Sequence, residues 1–362
     1  MPTLFDPVEM GALALPNRII MAPLTRGRAD RAAVPTAIMA DYYRQRSAAG
    51  LIVSEATGIS REGLGWPFAP GLWSKEQVEG WKPVIAAVHK AGGRMVAQLW
   101  HMGRLVHYNV SGMPAVSASA TRAPGKAHTY DGKQDYPEAR AATAEDIERI
   151  LGDYAAAARN AIAAGFDGVQ IHGANGYLVD QFLRDSTNLR DDDYGGAITN
   201  RLRFMREVVE AVASEFGIAR TGIRLSPLGE SQGANDSDNA ALFTAAAAAL
   251  EELGVPWIEL REPGPHSTFR AADEPAVSPA IREIYSGKIV LNSDYDGDSA
   301  QARLAEGVAD AISFGRPFIA NPDLVERIET GAMLNTPNPK TFYSQGPEGY
   351  TDYPAMAEQE AA

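Results

Sequence analysis

Gly168-Val-Gln-Ile-His-Gly-Ala-Asn-Gly-Tyr177 is a short apolar run that ends abruptly in three polar side chains set among glycines. Val169 and Ile171 are β-branched, the run follows a helical segment closing at Gly165, and it is too short for another helix. It reads as a central parallel strand with His172 at its carboxyl end. Barrels and open α/β sheets carry their reactive groups just past the carboxyl ends of the strands. His172 and Asn175 can both donate a hydrogen bond to one carbonyl oxygen, and the Tyr177 phenol can deliver a proton beside them. The same residues can equally satisfy the backbone of a glycine-rich turn while Tyr177 only packs. Other stretches must decide between the two.

Outward from this strand, similar short runs recur: Ile19-Ile-Met-Ala22, Leu51-Ile-Val-Ser54, residues 95–99, Gly222-Ile-Arg-Leu225, residues 257–260, Ile289-Val-Leu291 and Ala311-Ile-Ser313. Between them lie segments of helical spacing at 36–49, 76–91, 144–164, 200–216, 239–253, 279–285 and 299–306, with a last helix starting near Asn321. Thr143 and Asp146 form the expected capping box of the alanine-rich helix. Eight β/α units without a dividing linker predict an α/β fold, a closed (β/α)8 TIM barrel built as one domain over residues 1–362. No Gly-x-Gly-x-x-Gly follows the first strand, which makes a dinucleotide-binding Rossmann fold the weaker reading. Residues 3–15, punctuated by Asp6-Pro7 and Gly11, predict a hairpin acting as a lid or plug at the barrel base. The turn-rich insertion at 103–142, after the third strand, predicts a cap over the strand exits. The C-terminal tail, 346–362, is expected to fold back over the barrel.

A formal charge of -13 with no basic run disfavours a nucleic-acid or anionic-membrane surface. No apolar stretch approaches bilayer length and no signal segment opens the chain, so a cytoplasmic protein with small-molecule partners, monomeric or homodimeric, is expected. The chain has no cysteine, which removes disulfides, thiolate nucleophiles and iron-sulfur clusters. The histidines other than His172 lack a carboxylate cluster at ligand spacing, so no metal site is expected.

The strand exits carry Thr25 after Pro23, Ala56, Gln98 with Trp100, the 172–177 turn, Arg224, Asn292 with Ser293 and Asp294, and Phe314-Gly-Arg316. One mouth lined this way suits a long ligand with a phosphate tail and a hydrogen-bonding edge, such as flavin mononucleotide (FMN). Gly315 allows backbone N–H groups to approach a phosphate and Arg316 can grip it, although a salt bridge at the rim is the alternative for Arg316. Arg224, inside an apolar strand, needs either a buried carboxylate or a ligand. Trp66, Trp100, Phe269 and Tyr343 are candidates for an apolar substrate pocket; for Trp66 and Phe269, ordinary packing is the competing reading.

From near its start to about Tyr353, the chain resembles the old yellow enzyme family of FMN-dependent ene-reductases. The resemblance rests on Asn17-Arg-Ile-Ile-Met-Ala-Pro-Leu-Thr-Arg26, Ser54-Glu-Ala-Thr57, Ala97-Gln-Leu-Trp-His-Met-Gly-Arg104, His172 with Gly173-Ala-Asn-Gly-Tyr-Leu178, Asp193-Tyr-Gly-Gly196, Arg224-Leu-Ser226, Ile312-Ser-Phe-Gly-Arg-Pro-Phe318 and Gly349-Tyr-Thr-Asp-Tyr353. It implies a non-covalent FMN at the barrel mouth, with Thr25 at the flavin O4 edge, Gln98 at the pyrimidine edge and Arg224 beside N1 and O2. It places the phosphate on Ser293, Asp294, Gly315 and Arg316, although Asn292-Ser-Asp294 lacks the glycine of many relatives and sets an acid beside the phosphate.

The implied reaction moves hydride from NADH or NADPH to flavin N5, then from N5 to the β-carbon of an α,β-unsaturated carbonyl or nitro compound. Tyr177 would protonate the α-carbon, and His172 with Asn175 would hold the activating oxygen. The larger dienoyl-CoA-reductase type needs cysteine ligands to an iron-sulfur cluster and extra domains, and with no cysteine and 362 residues that type is not expected. A flavin-free, phosphate-handling barrel lyase or isomerase and a flavin-binding protein without turnover are the other readings.

Overall fold

The computed structural model describes residues 1–228, 231–263 and 275–357. Its centre is a closed barrel of parallel strands in the order of the chain: Ile19–Met21, Leu51–Val53, Met95–Trp100, Gly168–His172, Thr221–Leu225, Trp257–Arg261, Lys288–Asn292 and Ala311–Phe314. Closure is explicit, because Ala311–Phe314 pairs with Ile19–Met21 in parallel register. The predicted (β/α)8 barrel is therefore the observed one. Every residue of the third, fourth and fifth strands is buried, so these strands read as apolar runs rather than as alternating ones.

The hairpin of Val8–Met10 and Leu13–Leu15 plugs the barrel floor. Its buried side chains join Ile20, Leu51, Val53, Val96, Trp257 and Val290 in one apolar cluster. Trp257 fills the floor so fully that a Cβ on Gly222 would stand 2.1 Å from its ring. Around the barrel, the helix Ala144–Ala164 starts at the Thr143–Asp146 capping box and stops at Gly165, which adopts φ +98°. The continuous helix expected at 200–216 is instead two, Ile198–Arg201 and Arg203–Phe216. The break falls where Arg201 turns its guanidinium to Asp236, 2.5 Å away. The helix expected to run to residue 49 ends at Gln45. Arg46 there donates to the carbonyls of Phe318 and Ile319 at 2.7 and 2.9 Å.

The insertion carries more regular structure than its composition suggests, including an antiparallel hairpin of Lys126–Thr129 and Gly132–Asp135. From it the His128 ring reaches Trp66, 4.6 Å between centroids. The C-terminal stretch does fold back. Arg26 donates to the Gly349 carbonyl at 2.7 Å, Arg28 to the Phe342 carbonyl at 2.9 Å, and Tyr42 stacks on Tyr350 at 4.0 Å. This clamp brings Phe342 and Tyr343 to the barrel mouth. Among the described residues, no helix is long and apolar enough to cross a membrane.

Candidate active site

A cavity of about 640 Å³ opens at the carboxyl ends of the strands, a volume suited to a cofactor with part of a substrate. Pro23, Thr25, Arg224, Asn292, Ser293, Asp294, Phe314, Gly315 and Arg316 all line it. So do Trp66, Trp100, Asn175, Tyr177 and Tyr343, and the last of these is half exposed at the rim, at 51%. Ala56, Gln98 and His172 are buried behind the walls instead. Phe269 lies outside the described residues.

The 172–177 turn is held from every side. Gly173 N–H donates to the Arg224 carbonyl at 2.9 Å, Asn175 N–H to Ser226 Oγ at 2.8 Å, and Gly176 N–H to Asp180 Oδ2 at 2.8 Å. Asp180 is itself fixed by the buried Arg184 guanidinium at 2.8 Å. Asn175 and Gly176 sit at φ +61° and +77°, a left-handed pair that lifts the Asn175 side chain out of the strand line. His172 Nδ1 accepts the Ala174 N–H at 3.4 Å, which leaves its proton on Nε2. Burial and the nearby Arg224 and Arg261 hold His172 well below the ordinary histidine range, so the ring is neutral. The Tyr177 ring packs edge-on against His172 at 4.7 Å and against Trp100 at 5.0 Å. Burial raises the phenol above its ordinary range, so at neutral pH it is a proton donor.

Beneath the cavity a chain of buried polar groups crosses the barrel. Gln98 Nε2 donates to Gln170 Oε1 at 2.7 Å, and Gln170 Nε2 donates to Glu259 Oε2 at 2.7 Å. Glu259 Oε1 lies 3.3 Å from Arg224 Nε, and Arg224 donates onward to Asn292 Oδ1 at 2.6 Å. Of the two partners open to Arg224 in sequence, the buried carboxylate is present. At the opposite wall Arg316 is ion-paired with Asp294, so the rim salt bridge and the cavity-facing position coexist. Asp294 takes φ +40°, where a glycine would be unstrained. Nearby, the buried Ser313 hydroxyl lines the cavity without a hydrogen-bond partner.

Sequence reading missed Gln170, Glu259, Arg261 and Gln232. Glu259 was recoverable, since it is the only carboxylate in the eight barrel strands and a buried Arg224 demands one. Gln170 was hidden inside an apolar run. Arg261 ends the sixth strand and donates to Asn175 Oδ1 at 2.6 Å. Gln232 Nε2 donates to the Asn175 carbonyl at 3.0 Å. Both belong to elements distant in sequence from the turn they hold.

Barrel, mouth and polar turn together define a class, and the comparisons agree: residues 3–335 match the family model described as NADH:flavin oxidoreductase / NADH oxidase. The structure is similar to that of the old yellow enzyme homologue from Zymomonas mobilis, with a TM-score of 0.96 and 57% identity, covering 98% of this chain and 99% of that one. It is also similar to morphinone reductase in complex with tetrahydroNAD, with a TM-score of 0.92 and 44% identity over 98% of each chain. A curated relative from Leishmania infantum, described as a "Probable flavin mononucleotide-dependent alkene reductase", is 42% identical over 98% of this chain and 97% of its own. The chain belongs to the old yellow enzyme family of flavin-dependent oxidoreductases.

Proposed function

We propose that this protein is an ene-reductase that uses non-covalently held FMN and NADH or NADPH to reduce the C=C bond of α,β-unsaturated carbonyl and nitro compounds. The observation that carries the reading is one rigid turn that presents Asn175 and a protonated Tyr177 at the cavity, with a neutral His172 packed against Tyr177 just behind the wall. That set holds an oxygen as charge develops on it and supplies a proton beside it.

The chain's own groups fit FMN. The orphaned Ser313 hydroxyl offers a hydrogen bond to a ribityl or phosphate oxygen. Arg224, with Glu259 behind it, presents positive charge where the pyrimidine edge would rest. Thr25 offers a hydroxyl across the cavity, and Arg316 with the Ser293–Asp294 backbone offers a phosphate grip. Gln98 would reach the cofactor edge from just behind the wall, with its amide oriented by Gln170. When bound, FMN supplies the hydride chemistry, accepting from the reduced nicotinamide and delivering to the β-carbon of the alkene.

Asn175 at the cavity and His172 from just behind its wall would donate to the carbonyl or nitro oxygen and draw electron density from the alkene. A neutral imidazole does this without giving up its proton. Tyr177 transfers its phenolic proton to the α-carbon, and its high pKa makes the resulting phenolate quick to recover a proton. Trp66, Trp100 and Tyr343 form the apolar wall for the rest of the substrate.

The test is the visible spectrum of the purified protein, followed by NADPH without oxygen and then cyclohexenone. A yellow colour that bleaches with NADPH and returns with the enone is expected. A protein that stays colourless after addition of FMN would overturn the proposal.

A further inference from the structure

Asn175 is anchored at three atoms by three different parts of the chain. Its N–H is taken by Ser226 and its carbonyl by Gln232. Its side-chain oxygen accepts from Arg261 at 2.6 Å. The same guanidinium nitrogen lies 3.4 Å from Ser231 Oγ. A guanidinium carries donors only, so the amide oxygen must be the atom that faces it. The Nδ2 group is thereby turned away from Arg261 and left to donate elsewhere.

A primary amide at a cavity wall can otherwise rotate by half a turn and exchange donor for acceptor. An acceptor turned toward a substrate oxygen would repel it and oppose any gain of negative charge there. Burial and the repulsion of Arg224 push Arg261 down to about 10, still charged at neutral pH. A charge-assisted bond to the amide oxygen polarises the whole amide and makes its N–H groups better donors.

We propose that Arg261 is a positioning residue: it locks the Asn175 amide with its N–H groups toward the substrate and restricts the site to activating groups that accept hydrogen bonds there. This rests on the ene-reductase reading of the turn and goes beyond it by naming what orients the clamp. Carbonyl, nitro and phenolate oxygens satisfy the requirement, whereas a group that presents only donors at that point does not.

The test uses the FMN-loaded protein and p-hydroxybenzaldehyde, whose phenolate gives a charge-transfer band with the flavin. Arg261→Met is expected to weaken phenol binding by about tenfold, while Arg261→Lys, which keeps a charged donor, stays within about threefold of the parent. In an Asn175→Ala background the Arg261→Met loss should vanish, because the residue through which it acts is gone. Equal phenol affinity in Arg261→Met and the parent, with affinity lost in Asn175→Ala, would overturn the positioning role and leave the ene-reductase reading standing. Persistence of the full Arg261→Met loss in the Asn175→Ala background would also overturn it, since Arg261 would then act on the ligand directly. An unchanged band in Asn175→Ala alone would sink the reading of the turn and the proposal with it. FMN content checks that each variant is folded, and Arg261→Leu, with the same expected loss, replaces a Met variant that does not hold flavin.

Discussion

Arg224 and Glu259 are direct cross-strand partners on adjacent barrel strands, with Nε and Oε1 3.3 Å apart and side chains 7% and 1% exposed. The carboxylate's other oxygen is held by Gln170, and the guanidinium reaches on to Asn292. A cation is thus kept at the cavity wall in a place where it could not stand alone.

Removing the acid should expose that dependence. Glu259→Gln leaves Arg224 without its counter-charge and should cost about 3 kcal/mol of folding stability in the flavin-free protein. Urea unfolding of parent and variant measures this. A difference below about 0.5 kcal/mol, the usual scatter for surface changes, would mean that Arg224 is satisfied without Glu259.

Tyr177→Phe keeps the ring packed against His172 and Trp100 but removes the proton. Enone reduction should slow by about a hundredfold or more, the usual contribution of a positioned general acid. Bleaching of the flavin by NADPH should change little. Stopped-flow measurement of the two half-reactions separates them, and equal slowing of both would rule out the acid role.

Asp294 occupies Arg316 and brings a negative charge to the proposed phosphate grip. Asparagine tolerates the same left-handed backbone and removes the charge. Asp294→Asn should therefore tighten FMN binding by about tenfold, equivalent to about 1.4 kcal/mol of relieved repulsion. Fluorescence titration of the flavin-free protein reads this directly. Weaker binding would show instead that the carboxylate is needed to aim Arg316.

Buried histidines make stability depend on pH. His101 is held down to about 3 by burial and by Arg149, and His172 also lies well below its ordinary value. Such groups favour folding fully above the unfolded pKa, about 6.5, and that contribution is lost as pH falls below it. Glu55, raised by burial to about 6, works in the opposite direction between about pH 4.5 and 6, as do Asp153 and Glu262, also raised by burial, while His128, lowered by burial, adds to the loss. Unfolding free energy should fall by on the order of 3 kcal/mol from pH 7 to pH 5. In His101→Gln the slope should be shallower; an identical slope would remove His101 from the account.

The barrel was legible because a strand buried on both faces is apolar for most of its length, and eight such runs alternating with helical segments leave few other folds. The 172–177 turn was legible because its glycines and polar residues interrupt one of those runs. The break at Leu202 and the early end of the first helix were not, because each is tied to an arginine whose partner lies far along the chain: Asp236 for Arg201, Phe318 and Ile319 for Arg46.

The sequence by itself determined which residues stand at the strand exits, since period and punctuation are local properties of the chain. It also determined that Arg224 needs a partner, since a lone buried charge is too costly. That the partner is Glu259 was recoverable as well, but only the tertiary structure decided how the pair is held. It brings Gln98, Gln170, Glu259 and Arg224 into one line across the barrel and places Arg261 against Asn175, 86 residues away. The physical reason is closure: residues that meet across a closed barrel are set by strand register and tilt, which no local pattern records.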